Sequence, residues 1–280
     1  MGAGRLRHLR RAWTSGGATL SSRAEGPRGP ILVIPAAGLG TRLRAAVPKP
    51  LVPVAGRPML LRLIDLYRPY VSRVVVVVHP SFARQVRDAS RRSRPPVELA
   101  IQAAPTGMLD AVLLARGAVA ASTAGHVWIT WCDQLAVRPG TIERLEAAVD
   151  ANLRAPLVMP TVRRPNPYVH LERDGAGRIV RVLHQREGDS TPAEGESDMG
   201  LFSLSREAFL DRLPEFAAAP EAGAETGERN FLPFVPWIAA RETVVTFPVL
   251  DEMEAVGVNT PDELRLIERH LRERDAEDGV

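Results

Sequence analysis

From residue 30 to residue 153, short apolar runs alternate with longer amphipathic stretches, and few architectures accommodate that rhythm. "PILVIPA" (30–36), "RVVVVVH" (73–79), "VELAIQ" (97–102) and "HVWITWCD" (126–133) read as buried strands. Between them, "MLLRLIDLYRPY" (59–70), "SFARQVRDASRR" (81–92), "GMLDAVLLARGAVAAS" (107–122) and "GTIERLEAAVDANL" (140–153) place apolar residues at helical spacing. Strand–helix–strand repetition predicts βαβ units, a parallel sheet and helices on both of its faces.

Beyond Leu153 the rhythm changes. "PLVMPTV" (156–162), "MGLFSLS" (199–205), "TVVTFPV" (243–249) and "EAVGV" (254–258) read as strands. "YVHLERDGAGRIVRVLHQ" (168–185) reads as a hairpin turning at Asp174–Gly177. "REGDSTPAEGESD" (186–198) and "APEAGAETGERN" (219–230) read as mobile loops. "REAFLDRLPEF" (206–216) and "FLPFVPWIAA" (231–240) read as helices, the latter packing internally or between subunits. "TPDELRLIERHLRER" (260–274) closes the chain as a helix with Thr260 as N-cap and Pro261 in its first position. There is no internal repeat. The predicted fold class is α/β: a Rossmann-like three-layer α/β/α domain over residues 29–280, with a mostly parallel mixed sheet and a small β insertion facing the substrate.

Composition narrows the function by exclusion. The formal charge of +3 is misleading, because residues 1–28 hold six arginines against Glu25 alone. The remaining 252 residues therefore carry −2, and no nucleic-acid surface is implied for the domain. The 1–28 segment reads as a disordered, arginine-rich extension or a start codon placed too early; its character loosely resembles a transit peptide. No apolar run approaches the ~20 residues of a membrane helix, so no membrane partner is expected. Cys132 is the only cysteine, which forbids an intramolecular disulfide and fits a cytoplasmic setting. It reads as a small buried residue rather than a reactive thiol.

The first strand runs into "AAGLGTRLRAAVPKPL" (36–51). Ligands of open α/β sheets bind beyond the carboxyl ends of the strands. Gly38 and Gly40 permit a tight turn whose N–H groups approach phosphate oxygens, and Arg42 offers a charged fork. A dinucleotide fingerprint needs a further glycine where Leu43 stands, and a Walker loop needs Gly-Lys-Ser/Thr at its end. Neither fits. Lys49 is the only lysine among 36 basic residues, a compact point charge where every other position uses the wider fork of arginine.

"AAGLGTR", five further residues and "PKPL" resemble the signature of the nucleotidyltransferases that activate sugar 1-phosphates, such as N-acetylglucosamine-1-phosphate uridylyltransferase domains. The resemblance runs from Pro30 to Arg274. It implies that Ala36, Ala37, Gly38, Leu39, Gly40 and Thr41 cradle the NTP phosphates, and that Arg42 and Lys49 are the catalytic cations. Gln102 and Gly107, in "IQAAPTGMLDAV", fall at the base-reading loop, where Met108 replaces a usual threonine. Asp133 matches the aspartate of the family's GDxP, with Cys132 and Leu135 in place of glycine and proline. Asn259 in "EAVGVNTPDEL" matches the asparagine of its EGVN segment. The pair implies an Mg²⁺ site. His184, Arg186, Asp198 and Glu228 fall in the acceptor region, where the sequence departs from the family most.

The resemblance implies an Mg²⁺-dependent transfer from an NTP, UTP first, to a sugar 1-phosphate. Its substrates are an NTP and a phosphorylated small molecule; a homo-oligomer is possible on the apolar 231–240 stretch. Two alternatives stay open: cytidylyl transfer to phosphocholine, a phosphonate or another phospho-alcohol, and a nucleotide-sugar sensor without turnover.

Overall fold

A computed structural model describes residues 29–277 apart from 39, 44 and 219–221. The expected 1–28 extension lies outside the described residues. Twelve strands and eight α-helices are described: β1 (Ile31–Pro35), β2 (Pro53–Val54), β3 (Arg57–Pro58), α1 (Met59–Tyr67), β4 (Arg73–Val78), α2 (Pro80–Ser90), β5 (Val97–Ile101), α3 (Met108–Leu113), α4 (Arg116–Ala120), β6 (His126–Thr130), α5 (Pro139–Ala151), β7 (Leu157–Pro165), β8 (Val169–Arg173), β9 (Ile179–His184), β10 (Glu194–Asp198), β11 (Leu201–Ser205), α6 (Leu213–Ala217), α7 (Phe234–Ala239), β12 (Val244–Val249) and α8 (Pro261–Glu277).

The main sheet runs β10-β7-β11-β6-β1-β4-β5, with β12 paired to β7. β6, β1, β4 and β5 are mutually parallel, and β11 and β10 run antiparallel to their neighbours. The unbroken valines of β4 follow from burial on both faces. Val74, Val76 and Val78 join a core under α1, α5 and α8; Val75 and Val77 join a second core under α3, α4, α6 and α7. A polar residue at either parity would face a helix, so the strand has no polar side. The predicted three-layer α/β/α fold is therefore what forms.

Several local expectations change. The 107–122 segment is two short helices, not one, broken after Leu113. "EAVGV" is not a strand: Glu252–Ala255 makes a 3-10 turn and an irregular segment follows. The end of the expected 186–198 loop is β10, because Glu194–Asp198 pairs with Arg163, Arg164 and their neighbours on β7. In the 206–216 helix the first turn, Ala208–Arg212, is π-helical. The hairpin of β8 and β9 turns where expected, with Gly177 at φ +81° and the Asp174 carboxylate accepting the Ala176 and Arg178 N–H groups. Phe231, Phe234, Val235 and Ile238 are buried within the domain, which answers the question left open for that stretch. Among the described residues, no helix is long and apolar enough to cross a membrane.

Strand order fixes where a ligand can sit. The chain lays β1, β4 and β5 outward in one direction, then returns to place β6 on the other side of β1. The connections leaving β1 and β6 diverge at their carboxyl ends, opening a crevice between them. The glycine loop leaves β1 into that crevice, and Asp133 follows β6 into it.

Candidate active site

Lys49 starts a 3-10 turn, Lys49–Leu51, between Pro48 and Pro50. Two prolines restrict φ on either side of it, so the backbone that carries the ammonium is stiff. Gly40 lies directly beneath its side chain: φ is +62°, and a Cβ there would stand 2.8 Å from the Lys49 Cβ. Conformation and space both demand glycine at 40.

The lysine Nζ donates to Asp133 Oδ2 at 2.6 Å and to Asn259 Oδ1 at 3.0 Å. Arg42 Nη2 donates to the same Asn259 oxygen at 3.2 Å. Four residues from three distant segments thus meet at one point. The Lys49 and Asp133 side chains are only 16% and 15% exposed, which takes the pair out of the weak, solvent-screened class of surface salt bridges.

Asn259 is held from behind. The Glu263 carboxylate accepts the N–H groups of Asn259 and Thr260, both at 2.8 Å, while Thr260 Oγ1 accepts the Glu263 N–H. This capping box opens α8 and fixes the asparagine two residues before the helix. Gly257 packs on the pair, with its Cβ position 3.2 Å from Asp133 Cγ and 3.3 Å from Asn259 Nδ2. The Val258 N–H donates to the Asp133 carbonyl. Cys132, beside this pair, is buried; burial pushes its thiol up to about 12, which keeps it protonated and inert.

The remaining expected residues divide. The Ala36 N–H donates to the Val77 carbonyl at 2.7 Å, so that N–H extends the sheet ladder. Ala37 and Gly38 lie on the loop as expected. Leu39 and the Thr41 side chain lie outside the described residues. Gln102 is buried at the end of β5 and donates Nε2 to the Gly107 carbonyl at 3.0 Å. Its nitrogen is engaged in shaping the loop, leaving the oxygen as the end available to a base. Gly107 has φ +116°, and a Cβ there would collide with the Arg229 backbone at 2.4 Å. The 228–230 segment lies across it, with the Arg229 N–H on the Thr106 carbonyl and the Leu109 N–H on the Arg229 carbonyl.

On the acceptor side the four candidates do not converge. Arg186 and Glu228 form a bidentate pair at 2.9 and 3.1 Å. His184 meets Tyr168 edge-on, and burial lowers its pKa below the usual histidine value. Asp198 stands apart at the end of β10, accepting the Gly200 N–H at 2.8 Å. Burial raises its carboxyl above the usual aspartate range, and Asp133 adds to that rise.

Glu187 organises this side. It accepts from Thr226 Oγ1 (2.7 Å), Asn230 Nδ2 (2.9 Å) and the Glu225 and Thr226 N–H groups. Burial opposes its ionisation, but these donors outweigh burial and bring it down to about 2. Glu187 and Glu263 escape the motif comparison. Only Glu263 leaves a local signal, the Thr-x-x-Glu spacing of a capping box. The Glu187 partners lie some 40 residues away and leave none.

Comparison with known proteins decides the family. The model of the MobA-like NTP transferase domain matches residues 32–197, more than half of the chain. The chain belongs to that family. It is thereby grouped with the nucleotidyltransferases, as the resemblance in the glycine loop implied. "Bifunctional protein GlmU" of Aromatoleum aromaticum is 32% identical over 257 residues, covering 89% of this chain and 54% of that protein. Its counterpart in Pelotomaculum thermopropionicum is 29% identical over 251 residues, covering 88% and 53%. The chain spans about half the length of the curated relatives it matches.

Two solved structures share the fold. CMP:2-keto-3-deoxy-manno-octonic acid synthetase, complexed with CTP, superposes with a TM-score of 0.64 at 17% identity, covering 88% of this chain and 99% of that one. HddC from Yersinia pseudotuberculosis gives 0.61 at 19%, covering 86% and 99%.

Proposed function

We propose that this domain condenses an NTP, UTP first, with a sugar 1-phosphate, giving a nucleoside-diphosphate sugar and pyrophosphate. The observation that carries this reading is the meeting of Arg42, Lys49, Asp133 and Asn259 at the β1–β6 crevice. An oxygen of the acceptor phosphate forms a bond to the α-phosphorus. The bond from that phosphorus to the bridging oxygen breaks, and pyrophosphate leaves. No covalent enzyme intermediate is required, so catalysis rests on positioning and charge stabilisation.

Within that reaction, the loop from Ala37 to Gly40 lies along the triphosphate. Arg42, at the exposed edge of the crevice, takes charge on the departing pyrophosphate. Lys49 reaches oxygens of the α-phosphate and of the incoming phosphate. Gln102 offers an acceptor to an N–H on the base edge. A carboxylate and an amide oxygen are hard donors, and an ammonium already lies within 3.0 Å of both, so the Asp133–Asn259 pair fits a divalent cation, Mg²⁺ by choice. Bound there, the ion supplies charge neutralisation to the triphosphate.

The acceptor side favours keeping a second reading: cytidylyl transfer to another phosphorylated acceptor. Arg186 is already paired with Glu228, and His184 and Asp198 replace the family's usual sugar contacts. The test is pyrophosphate release with Mg²⁺, across the four NTPs and dTTP, against sugar 1-phosphates and phospho-alcohols. Release from one pair that disappears in Lys49→Ala supports transfer and names both substrates. Nucleotide binding without release from any pair would sink it in favour of a sensor.

A further inference from the structure

We propose that Lys49 and the divalent cation compete for the same two oxygens, so that the protein alone excludes the metal and the nucleotide admits it. This rests on the transferase reading for the identity of the metal pair, but not on turnover.

The geometry is specific. The ammonium is 2.6 Å from Asp133 Oδ2 and 3.0 Å from Asn259 Oδ1, so it lies on the donors a cation would use. Arg42 takes a third position, on Asn259 Oδ1 at 3.2 Å. Two cations therefore share a single carboxylate and a neutral amide. A dication added to this group meets like charge at close range in a half-buried setting, where screening is weak. Lys49 is also unable to retreat by a backbone shift, because Pro48, Pro50 and the contact with Gly40 fix its stem. Only its flexible chain can move.

An NTP changes this balance. Its phosphates supply the negative charge that draws both Lys49 and Arg42 off the oxygen pair. The metal and nucleotide are then coupled: each raises the affinity for the other, by thermodynamic necessity to the same degree. The device also gives the lone lysine a second reason to be lysine. A compact ammonium can transfer between an oxygen pair and a phosphate by rotating its stem, whereas a planar fork needs two aligned acceptors at either end.

The test titrates Mn²⁺ into the protein without nucleotide, following free Mn²⁺ by electron paramagnetic resonance. Lys49→Met removes the charge and keeps most of the length. It should bind Mn²⁺ about tenfold or more tighter than the unaltered chain, a gain that a purely structural lysine would not produce. Adding Asp133→Asn to Lys49→Met should abolish that gain. A non-hydrolysable NTP should tighten Mn²⁺ binding strongly in the unaltered chain and only weakly in Lys49→Met. Equal Mn²⁺ affinity with and without the lysine charge overturns the proposal, as does a gain that survives Asp133→Asn. Lys49→Ala, with its fold checked by thermal melting, repeats the comparison if the methionine variant melts early. A chain that excludes Mn²⁺ through Lys49 yet releases no pyrophosphate would refute the transferase reading and leave the competition standing.

Discussion

The phosphate end and the acceptor end of the crevice are assembled by different means. At the phosphate end, Asp133 follows a central strand, Asn259 is locked to a capping box, and Lys49 stands on a turn between two prolines. Each of these residues is fixed by local structure: a strand end, a helix cap or a proline-flanked turn. At the acceptor end, the 184–189 and 222–230 segments are held together through the Glu187 side chain and the Arg186–Glu228 pair. Reaction chemistry common to a family suits rigid placement. Acceptor choice suits loops that a few substitutions can reshape.

The sharpest way to break this comparison is to remove a group from each end. Lys49→Ala should lower kcat by about a thousandfold or more, since it deletes a positioned charge at the reacting phosphates. Lys49→Arg should still lose about tenfold or more, because the fork does not fit the point-charge position. Arg186→Gln, by contrast, should change the acceptor KM and leave the NTP KM unaltered. Steady-state kinetics on the pair found by pyrophosphate release reads all three. An Arg186 variant that loses kcat as severely as Lys49→Ala would show that the two ends are not separable.

Gly107 lies against the acceptor end at Arg229, and the next largest effect belongs there. A Cβ would stand 2.4 Å from the Arg229 backbone, and φ is +116°. The atoms it meets are backbone rather than the tip of a flexible side chain, so the 229 backbone must move. Gly107→Ala should cost about 3 kcal/mol or more, a backbone clash added to a disallowed dihedral. Urea denaturation checks it. Gly38→Ala is the contrast, since a Cβ at Gly38 has nothing within 4 Å; a stability change below about 0.5 kcal/mol is expected there.

Glu263 gives a smaller effect that is easier to interpret. Glu263→Ala removes the acceptor of the Asn259 and Thr260 N–H groups and should cost about 1 kcal/mol of stability. It should also weaken Mn²⁺ binding in the presence of nucleotide, because Asn259 loses its fixed position. Glu263→Gln retains an acceptor oxygen and should restore most of that binding. A loss of stability with unchanged metal affinity in the alanine variant would reduce Glu263 to a helix cap.

The sequence disclosed these two ends unequally, for a physical reason. The unbroken apolar run "VVVVV" and the glycine loop are local signals for the parallel core and for Lys49, while Asp133 and Asn259 were legible through the family resemblance. Their convergence was implied by that resemblance; only Asp133 follows a strand end. The ladder bond from the Ala36 N–H to the Val77 carbonyl leaves no trace in the motif. The break after Leu113 and the loss of the "EAVGV" strand depend on what packs nearby. Glu187 had no local signature at all: its donors are contributed by a loop about 40 residues downstream, and only the folded hairpin brings them together.

That dependence on one side chain predicts the smallest and most local effect. The Glu187 carboxyl lies at about 2, well below the ordinary glutamate value of 4.5. A depressed folded-state value means that its contribution is fully present above about 4.5 and is lost as pH falls from there toward about 2. The Glu225 and Thr226 N–H groups donate to this carboxylate at 3.2 Å, so their hydrogen-exchange protection, corrected for the intrinsic pH dependence, should fall across that window. Glu187→Gln should show reduced protection at those two amides already at neutral pH. The Val258 N–H is the internal control. It donates to a backbone carbonyl, that of Asp133, which does not titrate. If Val258 lost protection in step with Glu225 and Thr226, the crevice would be opening as one unit, and the division between a backbone-fixed end and a side-chain-tied end would fail.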